Sequence, residues 1–442
     1  MTIDVALQGR ERAGSTIRVG MVGAGATGRA IALQLGTPVP GIRLVAIANR
    51  TPSHGERAFR EAGIDWVRAD SLAEAETAIS RGTAILTEDP SILCACDLID
   101  IIVEVTGTIA PAASVALDAF AHGKHVVLVN AELDSLLGPL LRAKAAQAGV
   151  VVTNTDGDEP GVAMTLFRYV KSLGLRPVAA GNIKGMVDYY RNPETQQAFA
   201  KRHDQDAKKV TSFADATKLS METTVLANAT GFRAGRRGMY GPRCEKVQDV
   251  GGLLPARQML ETGLVDYAVG AAPHTGAFVV VHEDSPLKKA QLAYYKLGDG
   301  PFYVFHTPFH LPHIQIASTI ARAVLDRDPT VTPIDGPVCE VVTVAKRDLK
   351  RGERLDGIGG FCAYGLIENR DEARDRAALP IGLSEGCVLR WDMSKDDVLS
   401  FDDVELRVDR QIEALWREQN VRWQASQLED ASSRRLLAGA RR

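Results

Sequence analysis

Between Thr16 and Thr155 short, almost uninterrupted apolar runs alternate with longer stretches whose apolar positions recur every three to four residues. The runs are IRVGMVG, LVAIANR, LIDIIVEVTG, KHVVLVN and GVVVTNT, and a typical spacer is the amphipathic PAASVALDAFAHG. A strand with no polar face must be covered on both sides, so this alternation predicts a parallel sheet between two helical layers, a doubly wound α/β fold. From Gly157 to about Pro329 the pattern mixes strands such as FVVVH with helices, as in an α+β domain. Near Thr330 the texture becomes short β-rich runs, charged turns and glycines up to about Met393. Beyond that, DRQIEALWREQNVRWQASQLEDASSRRLL has helical spacing with charges of both signs, predicting an exposed or docking helix. The expected division is therefore 1–156, 157–329, 330–395 and a helical tail at 396–442.

The first strand runs into GAGATG, which puts Gly23, Gly25 and Gly28 at the G-x-G-x-x-G spacing. In that arrangement the first glycine permits a tight turn, the second lets backbone amides approach a pyrophosphate, and the third allows close helix packing. With Ala26 and Thr27 they open a helix whose N-terminus favours an anion. The strand before and the helix after make this a dinucleotide site. The second strand ends in Asn49 and Arg50, where an acid would otherwise grip an adenosine ribose. An arginine there suits a 2′-phosphate, so NADP(H) is expected over NAD(H). Glu104, Thr106 and Gly107 in VEVTG lie where the nicotinamide half should cross the sheet. Glu104 is read either as touching the cofactor or as capping the next helix.

The stretch TNTDGDEPG, residues 153–161, follows what the pattern counts as a sixth strand and so lies on the glycine-loop edge of the sheet. It is either a turn of solvated acids or a site loop, in which Asp158 and Glu159 orient hydroxyls, carry protons or hold a hard divalent cation, Mg2+ or Mn2+. RPVAAGNIKG delivers Lys184 at a strand end. DATKLSMETTVLANATG places Asp215, Lys218 and Glu222 at spacings of three and four, on one helical face. A lysine suits a developing alkoxide, which makes Lys218 the candidate catalytic group and Lys184 a substrate contact. The polar, aromatic segment DYYRNPETQQAFAKRHDQDAKK (188–209) reads as a lid or as an ordinary exposed helix and loop.

Composition narrows the partners. The 442 residues are 45% apolar, and 52 Lys and Arg nearly balance 55 Asp and Glu, a net charge of −3. That balance gives no reason to expect nucleic acid or an anionic membrane, the basic RRLLAGARR near the end being a local exception. No apolar run approaches a bilayer span and the N-terminus lacks a signal-peptide core, so a cytoplasmic protein is expected. Six scattered cysteines are read as reduced core residues.

GAGATG, ANR, GKHVV followed by Asn130, and DATK resemble homoserine dehydrogenase over the first two thirds of the chain. With VNAE (129–132), GDEP (157–160), NATG (228–231), GPR (241–243), VDY (265–267), HTPFHL (306–311) and VVTVAKRDLKRGERLD, the chain more fully resembles homoserine-dehydrogenase-like proteins with a C-terminal SAF domain. That group includes the 1-deoxy-D-xylulose 5-phosphate reductoisomerase-like (DRL) enzyme. The resemblance implies an NADPH-dependent oxidoreductase acting on a small hydroxylated carbonyl compound, a reductoisomerase step being one form of it, in a cytoplasmic homodimer. It singles out Arg243, His306 and His310 as substrate contacts, to which Asn228 and Tyr267 add donors and acceptors suited to a sugar-like ligand, and Asn130 and Glu132 join the cofactor set.

Departures from the family patterns also count. Ala131 follows Asn130 where homoserine dehydrogenases carry a lysine, which speaks against homoserine. The segments around Asn182 and Thr307 are less basic than in the reductoisomerase-like pattern, and the Asp-x-Glu metal motif of deoxyxylulose phosphate reductoisomerases is absent. Homoserine dehydrogenase and a non-catalytic sensor of NADPH or a metabolite are the alternatives.

Overall fold

The computed structural model describes residues 3–407 and 411–424. The first sheet has seven strands: β1 (Ile17–Val22), β2 (Ile42–Ala48), β3 (Trp66–Arg68), β4 (Ala84–Thr87), β5 (Ile101–Glu104), β6 (His125–Leu128) and β7 (Val152–Asn154). They pair in parallel in the order β3-β4-β2-β1-β5-β6-β7. The expected doubly wound fold is what forms. The chain leaves β1 in one direction and β5 in the other, so a crevice opens beyond their carboxyl ends. The apolar pattern passes over β3 and β4, which are three and four residues long. Residues 153–161 therefore begin within the seventh strand and run on past its end.

The second sheet is mixed: β8 (Arg176–Lys184), β9 (Arg233–Ala234), β10 (Leu264–Val269), β11 (Ala277–His282) and β12 (Phe302–Thr307), in the order β12-β11-β8-β10-β9. Helices Glu159–Ser172 and Thr217–Thr230 share a core with one of its faces, through Val162, Val170, Val225, Ala180, Val265 and Val279. Residues 316–325 then return to the first sheet, where Ile316 and Ile320 pack with Ile17, Val19 and Met21.

The last part is built on an antiparallel pair, β13 (Cys339–Ala345) and β14 (Ala363–Asn369), with a smaller pair β15 (Val388–Leu389) and β16 (Val404–Glu405). Its Leu349, Leu355, Leu379 and Leu399 belong to the same core as Leu133, Leu137 and Leu141 of helix Ala131–Gln147. The helix at 411–424 docks there too, inserting Ile412 and Leu415 and bonding Gln419 to Leu136 O and Leu140 N. The expected basic stretch RRLLAGARR lies outside the described residues. The cysteines are free, and all but the partly exposed Cys244 are buried.

Candidate active site

The glycine loop has the backbone the sequence calls for. Gly23 has φ +106, and a Cβ on Gly28 would sit 2.5 Å from Gly23 O, so that position tolerates no side chain without moving backbone. Gly25 is exposed, caps helix Ala26–Gly36 and has open space where a Cβ would point, which leaves the amides of Ala26 and Thr27 approachable. A dinucleotide pyrophosphate fits this cradle. Asn49 braces it: Oδ1 accepts from Ala24 N at 2.9 Å and Nδ2 donates to Thr51 O at 2.7 Å. Arg50 beside it is exposed.

Across the crevice, Glu104 is fully buried. It accepts from Thr106 N at 2.8 Å and from Asn130 Nδ2 at 2.8 Å, and burial pushes its carboxyl up to about 7. Asn130 also donates to Thr108 O and caps helix Ala131–Gln147 through Leu133 N. Glu104 and Asn130 hold the turn that carries Thr106 and Gly107; the sequence reading has Asn130 in the cofactor set and Glu104 either touching the cofactor or capping the next helix. Glu132 pairs with Lys218 at 3.2 Å.

The acids of residues 153–161 are not solvated; every residue of the stretch is buried. Asp156 pairs with Arg322 at 3.2 Å and binds Ser318, tying the loop to the returning segment. A Cβ on Gly157 would lie 2.3 Å from Leu311 O, so glycine lets residues 306–312 cross over the loop. Asp158 caps helix Glu159–Ser172 through Glu159 N at 3.1 Å. Glu159, in the first turn, faces β8 and forms an ion pair with Lys184.

Around that pair gathers a buried cluster. Lys184 also lies 3.5 Å from Glu222, His310 Nδ1 3.7 Å from Glu159, and Asn182 donates to Glu222 at 3.4 Å. The carboxylates are deep, Glu159 and Glu222 side chains being 3% and 6% exposed, whereas Lys184 and Lys218 keep 21% and 14%. The Lys184 side chain is thus more open than the two acids it meets, whereas Lys218 and its partner Glu132, at 15%, are exposed alike. Four acids (Asp158, Glu159, Glu222, Glu132) surround two lysines, so not every acid can ionise. Burial, then the neighbouring Glu159 charge, pushes Glu222 up to about 8. Burial and the Glu222 charge raise Asp158 as well. Both lysines are held above their ordinary value: burial opposes this, but the surrounding acids together outweigh it, Glu159 first among them for Lys184 and Glu132 for Lys218. No group of three or more His, Cys, Asp or Glu placed to hold a metal ion occurs among the described residues.

The helical face expected for Asp215, Lys218 and Glu222 needs correction. Ala216 has φ +69 and starts helix Thr217–Thr230, leaving Asp215 outside it, buried against Lys346 at 2.8 Å. Lys218 pairs with Glu132, and no Lys218–Glu222 pair forms. Asn228 lies ten residues along the helix from Lys218, about 15 Å, and its Oδ1 accepts from Val338 N and Cys339 N. Through that oxygen it joins the helix to the start of β13, while its Nδ2 is buried without a partner. Tyr267 is buried opposite Asn182 in the register of β10 and β8. Arg243 is exposed and bridges Val269, one strand from Lys184. His306 is half-buried on edge strand β12, and His310 bonds Thr275 Oγ1 at 2.9 Å.

Sequence reasoning left out Asn182 and Lys346. Asn182 and Lys184 lie at i, i+2 on one strand and so share a face; Lys346 directly extends the seven buried residues of β13.

Residues 157–316 match the family described as Oxidoreductase DRL, catalytic domain, and residues 23–153 match Homoserine dehydrogenase, NAD binding domain. No curated protein matches significantly. Similar solved structures include a homoserine dehydrogenase from Thiobacillus denitrificans (17% identity, 76% of this chain and 83% of that one, TM-score 0.41). Others are a probable dehydrogenase from Thermotoga maritima (11%, 72% and 91%, 0.42) and an apo scyllo-inositol dehydrogenase from Lactobacillus casei (12%, 71% and 89%, 0.41). At such identities and TM-scores these likenesses say nothing about chemistry.

Proposed function

For a chain that joins a homoserine-dehydrogenase-type NAD-binding region to a DRL-type catalytic region, an NAD(P)-dependent oxidoreductase in class, we propose reduction of a small hydroxylated carbonyl compound with NADPH. The observation that carries this reading is the pair of lysines with partly exposed side chains, Lys184 and Lys218, ion-paired with Glu159 and Glu132. A bound nicotinamide dinucleotide would supply the hydride. Lys218 places positive charge against the reacting oxygen and gives it a proton, with Glu132 keeping the ammonium in place. Lys184, held by Glu159, orients a substrate hydroxyl. Glu222, its carboxyl pushed up to about 8, holds a proton beside Lys184 that a substrate hydroxyl can exchange.

Arg50 supports NADPH over NADH, since neither it nor its neighbours Asn49 and Thr51 offers a carboxylate to the ribose. An excess of acids over lysines in the cluster supports an uncharged polyol-like carbonyl over a phosphorylated one. Reductoisomerisation of a sugar derivative remains within the proposal as the finer form of the reaction, together with a cytoplasmic homodimer and the assignment of residues 330–395 as an SAF-like domain.

The test is a screen of purified protein with aldoses, ketoses and hydroxy-aldehydes, with NADPH and NADH, with and without Mg2+ or Mn2+, following nicotinamide absorbance. Saturable NADPH oxidation with one class is expected. Absence of turnover across the panel despite tight NADPH binding would favour a sensor.

A further inference from the structure

The segment between Asp188 and Lys209 spans from the cofactor edge to the C-terminal β module. At the cofactor edge Asp204 pairs with Arg29 at 2.8 Å and Arg57 at 3.1 Å, and Lys209 donates to Thr106 O at 3.2 Å. At the other end Tyr189 stacks on Tyr364 with ring centroids 5.2 Å apart, Tyr190 OH donates to Asp396 at 3.0 Å, and Lys208 donates to Asp356 O. The β module also holds the start of helix Thr217–Thr230, because Gly365 N donates to Thr217 Oγ1 at 2.9 Å. Lys218 is the next residue.

One side chain joins these contacts. Lys346, at the end of β13, is 5% exposed, and its ammonium donates to Asp215 Oδ2 at 2.8 Å, Arg191 O at 2.8 Å and Gly360 O at 2.7 Å. An ammonium has three protons, and each has an acceptor from a different segment. An apolar residue of the same length would fill the space with no charge to desolvate, so the buried pair is a poor device for stability alone. What it adds is geometry. It ties the residue just before the catalytic helix, the backbone of the 188–209 segment and the β module to a single point.

We propose that Lys346 is a positioning residue of the active site: it anchors the 188–209 segment as a lid and fixes the N-terminus of the helix that presents Lys218. Its catalytic consequence rests on the reading of Lys218 as proton donor; the anchoring itself does not.

The test uses the full chain and two variants, Lys346→Met and Lys346→Met with Asp215→Asn. The single variant strands a buried carboxylate and should lower the melting temperature. The double variant removes that charge and should regain most of the loss. Hydrogen exchange then reports on position, with no substrate needed. Amides of 189–203 and 215–221 should exchange at least about tenfold faster in both variants, while those of β5 and β6 stay within about twofold of the parent. With the carbonyl compound that the screen yields, kcat of the double variant should stay at least about tenfold low despite its regained stability, with KM moved far less.

Return of both exchange and kcat to parental values in the double variant would overturn the proposal, leaving the lysine a mere charge partner. Failure of both variants to fold would also overturn it, by assigning Lys346 to the fold. If exchange behaves as expected and Lys218→Ala proves active, the anchoring stands and only the proton-donor reading falls.

Discussion

The two edges of the crevice are built by different means. The glycine loop is a local device: six consecutive residues set a turn, a helix start and a space, and Asn49 adds one brace. The facing cluster is assembled from Glu132, Asp158, Glu159, Lys184, Lys218, Glu222 and His310, which come from five separate places in the chain. Backbone geometry encoded in neighbouring residues fails at one position and fails completely. A cluster of paired charges should instead fail by degrees, losing rate while retaining its fold and its cofactor.

The largest expected effect breaks the first edge. Gly28→Val puts a branched side chain onto Gly23 O, so saturable NADPH binding should vanish in a fluorescence titration while thermal unfolding stays cooperative. Normal binding would show that the loop is not the pyrophosphate cradle.

A smaller effect sharpens the cofactor edge. Arg50→Ala should weaken NADPH about tenfold and NADH less than about twofold, the scale of one charge-assisted contact. Equal losses for both cofactors would remove the argument for a 2′-phosphate.

The smallest effect concerns the second edge without substrate. Glu222 is neutral in the folded chain up to about 8, against an ordinary value of 4.5. Between these values the folded state binds a proton that the unfolded state has released, so Glu222 stabilises fully at low pH and loses that contribution as pH rises through about 8. Urea midpoints across this window should fall more gently with pH for Glu222→Gln than for the parent. An unchanged slope would mean that Glu222 ionises normally.

The same contrast explains what could be read from the chain. GAGATG after an apolar strand is legible because its geometry needs no distant partner. The burial of residues 153–161 was not, since TNTDGDEPG looks polar until residues 306–312 cross it and Lys184 neutralises Glu159. Asp215 was misplaced because a three- and four-residue spacing ignores the left-handed Ala216 that ends its continuity with Lys218. Lys346 was invisible as a partner of Asp215 across 131 residues. The β-rich texture beyond Thr330 was plain, yet its burial of leucines against helix Ala131–Gln147 depends on a face that periodicity alone does not assign to a neighbour.

The proposed roles separate Lys218, which serves the reacting oxygen, from the glycine loop and Arg50, which hold the cofactor. The direct measurement is Lys218→Ala against the parent, with NADPH dissociation by fluorescence and NADPH oxidation on the carbonyl compound identified in the screen. The expected result is a kcat lower by at least about a hundredfold and an NADPH Kd within about twofold of the parent. Parental turnover, or a rate loss matched by an equal loss of NADPH affinity, would contradict it.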